Sequence, residues 1–122
     1  MSQRYFGLVD QLFEAIEDEQ DVNRVRELIE AGCDVNVRIE EGCTPLIAAV
    51  LVGNLEIVKL LVEFGADVNV IDGYFGSPLY YASYNGFQNI AEYLEPITSS
   101  KIRAEAKRDV SSILYPRRQI GK

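Results

Sequence analysis

The side chains of this chain that could do chemistry are few in kind and scattered in position. No histidine occurs among the 122 residues, which removes imidazole as general base, as metal ligand and as a switch near neutral pH. Two cysteines are present, Cys33 and Cys43. Their number and spacing fit neither a disulfide framework nor a zinc motif, and neither thiol has a histidine to activate it. The glycine-rich turns lack the spacing of a phosphate-binding loop. The expectation is a protein without catalytic residues, metal, cofactor or small-molecule substrate.

Charge narrows the partner classes. Through residue 95 only five cations (Arg4, Arg24, Arg26, Arg38, Lys59) face 17 carboxylates. From residue 96 onward seven cations (Lys101, Arg103, Lys107, Arg108, Arg117, Arg118, Lys122) face Glu105 and Asp109 alone. An acidic body carrying a basic tail follows. Such a body repels phosphate, so nucleic acid is disfavoured as its partner. No apolar run approaches the roughly 18 residues of a membrane-spanning helix. The opening Met1-Ser2-Gln3-Arg4-Tyr5-Phe6-Gly7 lacks the apolar stretch of a secretory signal. A soluble cytoplasmic protein is expected, with the nucleus left open.

The elements that position these residues repeat. Gly32 and Gly65 stand 33 residues apart, within Glu30-Ala31-Gly32-Cys33-Asp34-Val35-Asn36 and Glu63-Phe64-Gly65-Ala66-Asp67-Val68-Asn69. Gly53 and Gly86 keep the same interval, as do Thr44-Pro45-Leu46 and Ser77-Pro78-Leu79, and Leu28, Leu61 and Leu94. A hydroxyl at Thr44 or Ser77 can cap a helix, and the following proline suits the first helical position, where no amide donor is needed. Leu46, Ala49 and Val50 recur at helical spacing, and Gly53 closes that helix. A second helix follows, with Leu55, Val58, Leu61 and Val62 as its apolar stripe, and Gly65 ends it. Each period is thus a turn and two short helices.

This pattern resembles the ankyrin repeat, a family whose 33-residue unit carries a Thr-Pro-Leu-His-x-Ala signature. Here the signature reads Thr44-Pro45-Leu46-Ile47-Ala48-Ala49 and Ser77-Pro78-Leu79-Tyr80-Tyr81-Ala82. The first unit is degenerate, with Leu12-Phe13-Glu14-Ala15-Ile16 in the signature's place and a well-kept second helix from Asp21 to Glu30. The resemblance covers about residues 8–95. It implies an all-α solenoid of stacked helix pairs with β-turn or hairpin tips. Repeats are expected over about 8–36, 37–69 and 70–95, within an ankyrin-repeat domain of residues 1–97. Two departures stand out. Ile47 and Tyr80 replace the signature histidine, so packing is expected to substitute for its polar link. The glycine of the third turn, Asp72-Gly73-Tyr74-Phe75-Gly76, falls one residue later than Gly42 does in the second, which points to a different tip geometry. Cys33 takes the small-residue position of the repeat and is expected buried and inert. Cys43 is expected at a tip as a free thiol with nothing nearby to lower its pKa strongly.

A solenoid must cover its two ends. The polar first unit, with Glu14, Glu17, Asp18 and Glu19, suits the N-terminal end. At the other end a helix over 98–114, capped by Ser99 or Ser100, presents Ile102, Ala106, Val110, Ile113 and Leu114 on one face. It is expected to cap the third repeat, the alternative being a cationic helix that docks on a partner or an anionic membrane. Residues 115–122 form a basic tail.

The resemblance implies protein binding through the turn tips and the exposed side of the first helices, together a concave groove. Carried over by position, the candidate contacts are Asp18 and Glu19 in the first repeat. In the second they are Arg38, Glu40, Glu41 and Cys43 at the tip, with Leu51 and Val52 on the helix. In the third they are Ile71, Gly73 and Tyr74 at the tip, with Tyr84 and Asn85 on the helix. Apolar and tyrosine side chains there suggest a contact patch, while Tyr80, Tyr81, Phe87 and Tyr93 are expected to fill core space. Asp18, Glu19, Glu40 and Glu41 would favour a partner with a basic surface, or serve only as a solvated face. The function implied is a non-catalytic adaptor or inhibitor, a monomer that holds another protein. Two alternatives stay open: self-assembly through the aromatic third repeat or the terminal helix, and binding of nucleic acid or anionic lipid by the basic tail.

Overall fold

A computed structural model of the protein describes residues 7–106. Helices α1 (Leu8–Glu14), α2 (Val22–Glu30), α3 (Pro45–Val52), α4 (Leu55–Glu63), α5 (Pro78–Tyr84) and α6 (Gln88–Leu94) alternate with turns, and no strand occurs among the described residues. A wide π-helical turn, Ala15–Glu19, extends α1, and a tight 3-10 turn, Glu95–Ile97, follows α6. A last helix, α7, occupies residues 100–106. The expected positions Val110, Ile113 and Leu114 and the basic tail lie outside the described residues.

Each pair forms because its ends are chemically marked. Thr44 Oγ1 accepts from the Ile47 amide at 3.3 Å and Ser77 Oγ from the Tyr80 amide at 3.0 Å, with proline opening each helix. Asp21 and Asn54, 33 residues apart, cap α2 and α4 in the same way. Phe87 holds the corresponding place before α6 and gives no side-chain cap. Gly53 takes the left-handed conformation that ends α3 (φ 76°), and Gln20 takes the matching slot after the first helix at φ 50°.

The helices form two layers. α1 with its π-turn, α3 and α5 pack side by side, and α2, α4 and α6 make the second row behind them. Helix α3 is central and is buried from Pro45 to Val50, in keeping with its wholly apolar sequence. Ala48 and Ala49 keep that crossing close. Leu12, Ile16, Leu46, Ile47, Ile57, Leu61, Ile90 and Leu94 are the largest side chains withdrawn from water, each contributing about 1.5–3 kcal/mol. In α4 the deepest residues are Ile57, Val58, Leu60 and Leu61. Leu55 and Val62, expected in that stripe, are half-buried at its edges.

Ile47 is fully buried at the signature-histidine position, and polar ties between repeats occur elsewhere. Asn36 donates from Nδ2 to the Gly65 carbonyl (3.1 Å) and accepts at Oδ1 from the Asp67 amide (2.8 Å), tying the first repeat to the second. One period later Asn69 Oδ1 accepts from the Ser99 amide at 2.8 Å, tying the second repeat to the entry of α7. Ser99 Oγ then caps α7 by accepting from the Ile102 amide, and Ala106 joins the hydrophobic core. The polar ties thus run from the segment after each second helix to the next unit.

Candidate functional site

The first-helix layer sets a row of side chains one period apart. Asp18, Leu51 and Tyr84 occupy equivalent positions, as do Glu19, Val52 and Asn85. Because the Ala15–Glu19 turn packs on α3 and α3 on α5, each member lies about one helix spacing, 8–10 Å, from the next. Asp18 and Glu19 are exposed, Leu51 is 46% exposed and Tyr84 50%. Val52 corrects the expectation for this row: it is half-buried and packs against the core. Asn85 is exposed, but its amide already donates to the Tyr81 carbonyl at 2.8 Å and closes α5. Tyr84 stacks on Tyr80, ring centroids 5.8 Å apart, and Tyr80 meets Tyr81 edge-on at 5.4 Å. The aromatic run along α5 therefore leads from the exposed Tyr84 toward the tip.

At the tips, backbone hydrogen bonds hold the second and third turns together. The Gly73 amide donates to the Glu41 carbonyl at 2.6 Å, and Arg38 Nη2 donates to the Ile71 carbonyl at 2.7 Å. Arg38 is thus a brace between repeats as well as an exposed cation. Both turns close with the same pair of bonds one period apart, Ile39 N to Cys43 O with Gly42 N to Ile39 O, then Asp72 N to Gly76 O with Phe75 N to Asp72 O. The expected difference in tip geometry is therefore confined to the middle of the turn, where Glu41 and Gly42 are both left-handed but Phe75 alone is so in the third. Phe75 takes at φ 66° the slot that Gly42 takes at φ 73°, and the residue is 84% exposed beside an exposed Tyr74.

Asp72 organises this tip from within. Nearly buried, its Oδ1 accepts from the amides of Tyr74 and Gly76 at 2.9 Å each, and Oδ2 accepts from the Tyr81 hydroxyl at 2.6 Å. Burial first, and then the hydrogen bond to Asp72, holds the Tyr81 phenol above its ordinary pKa. Sequence reasoning passed over Asp72 because its counterpart one repeat earlier is Ile39. The signal available was a lone carboxylate at the head of a turn with glycines at 73 and 76, a composition suited to a side chain that ligates backbone amides. Phe75 is legible in the sequence only through its register with Gly42, one period earlier.

Cys43 differs from expectation. It is half-buried rather than presented at the tip, its thiol donates to the Thr44 carbonyl, and burial, then Glu17 and Asp72, push its pKa up to about 11. Cys33 is buried, and both cysteines are free thiols. Burial, with Asp18 beside it, raises the Glu17 carboxyl.

The four acidic candidates do not form one patch. Glu40 and Glu41 are exposed ahead of the N-terminus of α3, whereas Asp18 and Glu19 belong to the row at its C-terminal end. The eight residues of α3 separate the pairs by about 12 Å, beyond the ~8 Å screening length of physiological salt. Among the described residues no three His, Cys, Asp or Glu side chains are grouped to hold a metal, and no helix is long and apolar enough to cross a membrane. A shallow depression of about 290 Å³ lies at the opposite end from the tips, lined by Gly53, Leu55, Gly86, Phe87, Gln88, Asn89 and Ile90 without a charged or nucleophilic group.

Comparison with known proteins agrees with this architecture. A family model described as ankyrin repeats in three copies matches residues 12–104. The Notch-regulated ankyrin repeat-containing protein of Xenopus tropicalis is 42% identical over 78 residues, which span 62% of this chain and 67% of that protein. Its Homo sapiens counterpart is likewise 42% identical over 78 residues, 62% of this chain and 67% of its own length. Protein phosphatase 1 regulatory subunit 27 of Mus musculus is 41% identical over 73 residues, 60% of this chain and 47% of that protein. With a three-repeat model matched over most of its length and its helix pairs stacked in two layers, the chain belongs to the ankyrin-repeat family.

Proposed function

We propose that this protein is a non-catalytic module that binds another protein through the exposed row of its first helices and the neighbouring tips. The observation that carries the reading is the pair Leu51 and Tyr84. These side chains sit at equivalent places on adjacent helices, about half of each open to water, and are the most exposed large apolar side chains among the described residues of that layer. Each would bury more apolar surface in a complex than it does in the chain by itself, at roughly 25 cal/mol per Å². Tyrosine adds area at small entropic cost and keeps a polar tip for pairing. The name of one relative, a regulatory subunit of protein phosphatase 1, describes a role exercised on another protein, and a role of that class fits this surface.

The test is affinity capture from extracts of cells that make the protein, comparing wild type with a Leu51→Glu, Tyr84→Ala double variant of unchanged helical content. A protein retained by wild type and lost by the variant is the expected outcome. Equal retention by both would place the contact elsewhere.

A further inference from the structure

The geometry points to an arginine-reading site at the joined tips of the second and third repeats, built from the rings of Tyr74 and Phe75 and the carboxylates of Glu40 and Glu41. The proposed occupant is an arginine-bearing segment of a protein partner. The inference rests on the reading of this chain as a protein-binding module and assigns a partner chemistry to one part of its surface.

Three observations converge. First, Phe75 is placed at cost: a bulky side chain in the left-handed region is strained, and the residue, 84% exposed, stands outside the hydrophobic core. Glycine fills the same slot in the preceding repeat, so the turn itself does not require an aromatic. Second, the platform is stiff. Asp72 holds the Tyr74 and Gly76 amides, and the Gly73 amide is bonded to the Glu41 carbonyl, so the backbones that carry the rings and the acids are joined. Third, the charges have a sign. Glu40 and Glu41 are exposed and outnumber Arg38, the cation beside them, whose guanidinium keeps its charge while braced on the Ile71 carbonyl, so the joined tips stay net acidic.

Exposed aromatic faces on a tip that also carries exposed carboxylates favour a cation. Between the two cationic side chains, the planar guanidinium can stack on a ring and pair with a carboxylate at once, whereas the ammonium of lysine is a more strongly hydrated point charge. An arginine laid on Phe75 or Tyr74 would meet Glu41 from the adjoining tip.

The site is tested by amide NMR titration of the whole chain with acetyl-Gly-Arg-Leu-Arg-Gly-amide and with its lysine and citrulline versions. The expected result is saturable shifts at Glu41, Tyr74 and Phe75, strongest for arginine and missing for citrulline, which keeps the planar shape without the charge. In Phe75→Gly, affinity for the arginine peptide falls about tenfold, while the melting temperature is unchanged or higher because glycine suits the backbone there. The Leu51→Glu, Tyr84→Ala variant titrates like wild type, so failure of this site and failure of the first-helix row are read separately. Equal shifts with citrulline, equal affinity in Phe75→Gly, or arginine and lysine shifts spread alike over all acidic residues would overturn the proposal.

Discussion

Asp72 is one carboxylate serving three donors, and the third tip depends on it. Its removal would leave two amides and a phenol near the interior without their acceptor, a cost of about 2–4 kcal/mol on the scale of buried unsatisfied groups. The same tip explains a glycine. A Cβ at Gly76 would come within 2.4–2.5 Å of the Tyr81 ring, and that ring is held by Asp72 and by Tyr80. Gly76→Ala is therefore expected to cost about 1–3 kcal/mol in urea unfolding, whereas Phe75→Gly next to it costs nothing. A pH dependence follows from the same neighbourhood. Cys43 and Tyr81 both ionise less readily in the folded chain than when unfolded, so the native state binds more protons wherever the unfolded thiol or phenol has already lost its own. Stability is full below the ordinary thiol value of 9.0, falls as pH rises through about 11, and continues to fall while the phenol titrates. Thermal melts from neutral to strongly alkaline pH check this, and Tyr81→Phe should reduce the decline at the alkaline end. A melting temperature that held constant above pH 9 would contradict it.

At the scale of elements, the local marks were legible and the long-range ones were not. Thr44-Pro45 and Ser77-Pro78 announce helix starts because cap and proline act within one turn of chain. Gly53 and Gly86 announce helix ends for an equally local reason. The outward side of α3 was harder to place. In a helix apolar throughout, periodicity cannot say which residue faces out, so Val52 was grouped with Leu51 although it turns toward the core. The asparagine ties escaped notice because Asn36 and Asn69 act on residues about thirty positions away. These ties carry a prediction. Asn69→Ala should loosen the entry of α7 while leaving the first two repeats intact, read as faster amide exchange over 100–106 by hydrogen exchange. Asn36→Ala should instead lower overall stability by about 0.5–1.5 kcal/mol, since the two exposed bonds that join the first and second repeats are lost. Uniform exchange increases in both variants would argue against separate ties.

On the scale of the whole molecule, the layered stack divides its labour. The second-helix layer and the centre of α3 supply burial, and the first-helix layer leaves Leu51 and Tyr84 in water on a common row. Family and architecture were readable from the 33-residue period; the arrangement of the candidate site was readable only in part, because the period gives equivalent positions without giving distances. The acidic residues show this, since Asp18 and Glu40 share a sign and a surface yet stand at opposite ends of α3. The most direct measurement of which layer meets the partner is site-specific photo-crosslinking in cells, with benzoylphenylalanine placed at Leu51 or Tyr84 on the first-helix row, or at Arg26 or Glu56 on the exposed side of the second-helix layer. Adducts to another protein from positions 51 and 84, with none from 26 and 56, are the predicted result. Adducts from 26 and 56 alone would show that the partner sits on the opposite layer and would contradict the account.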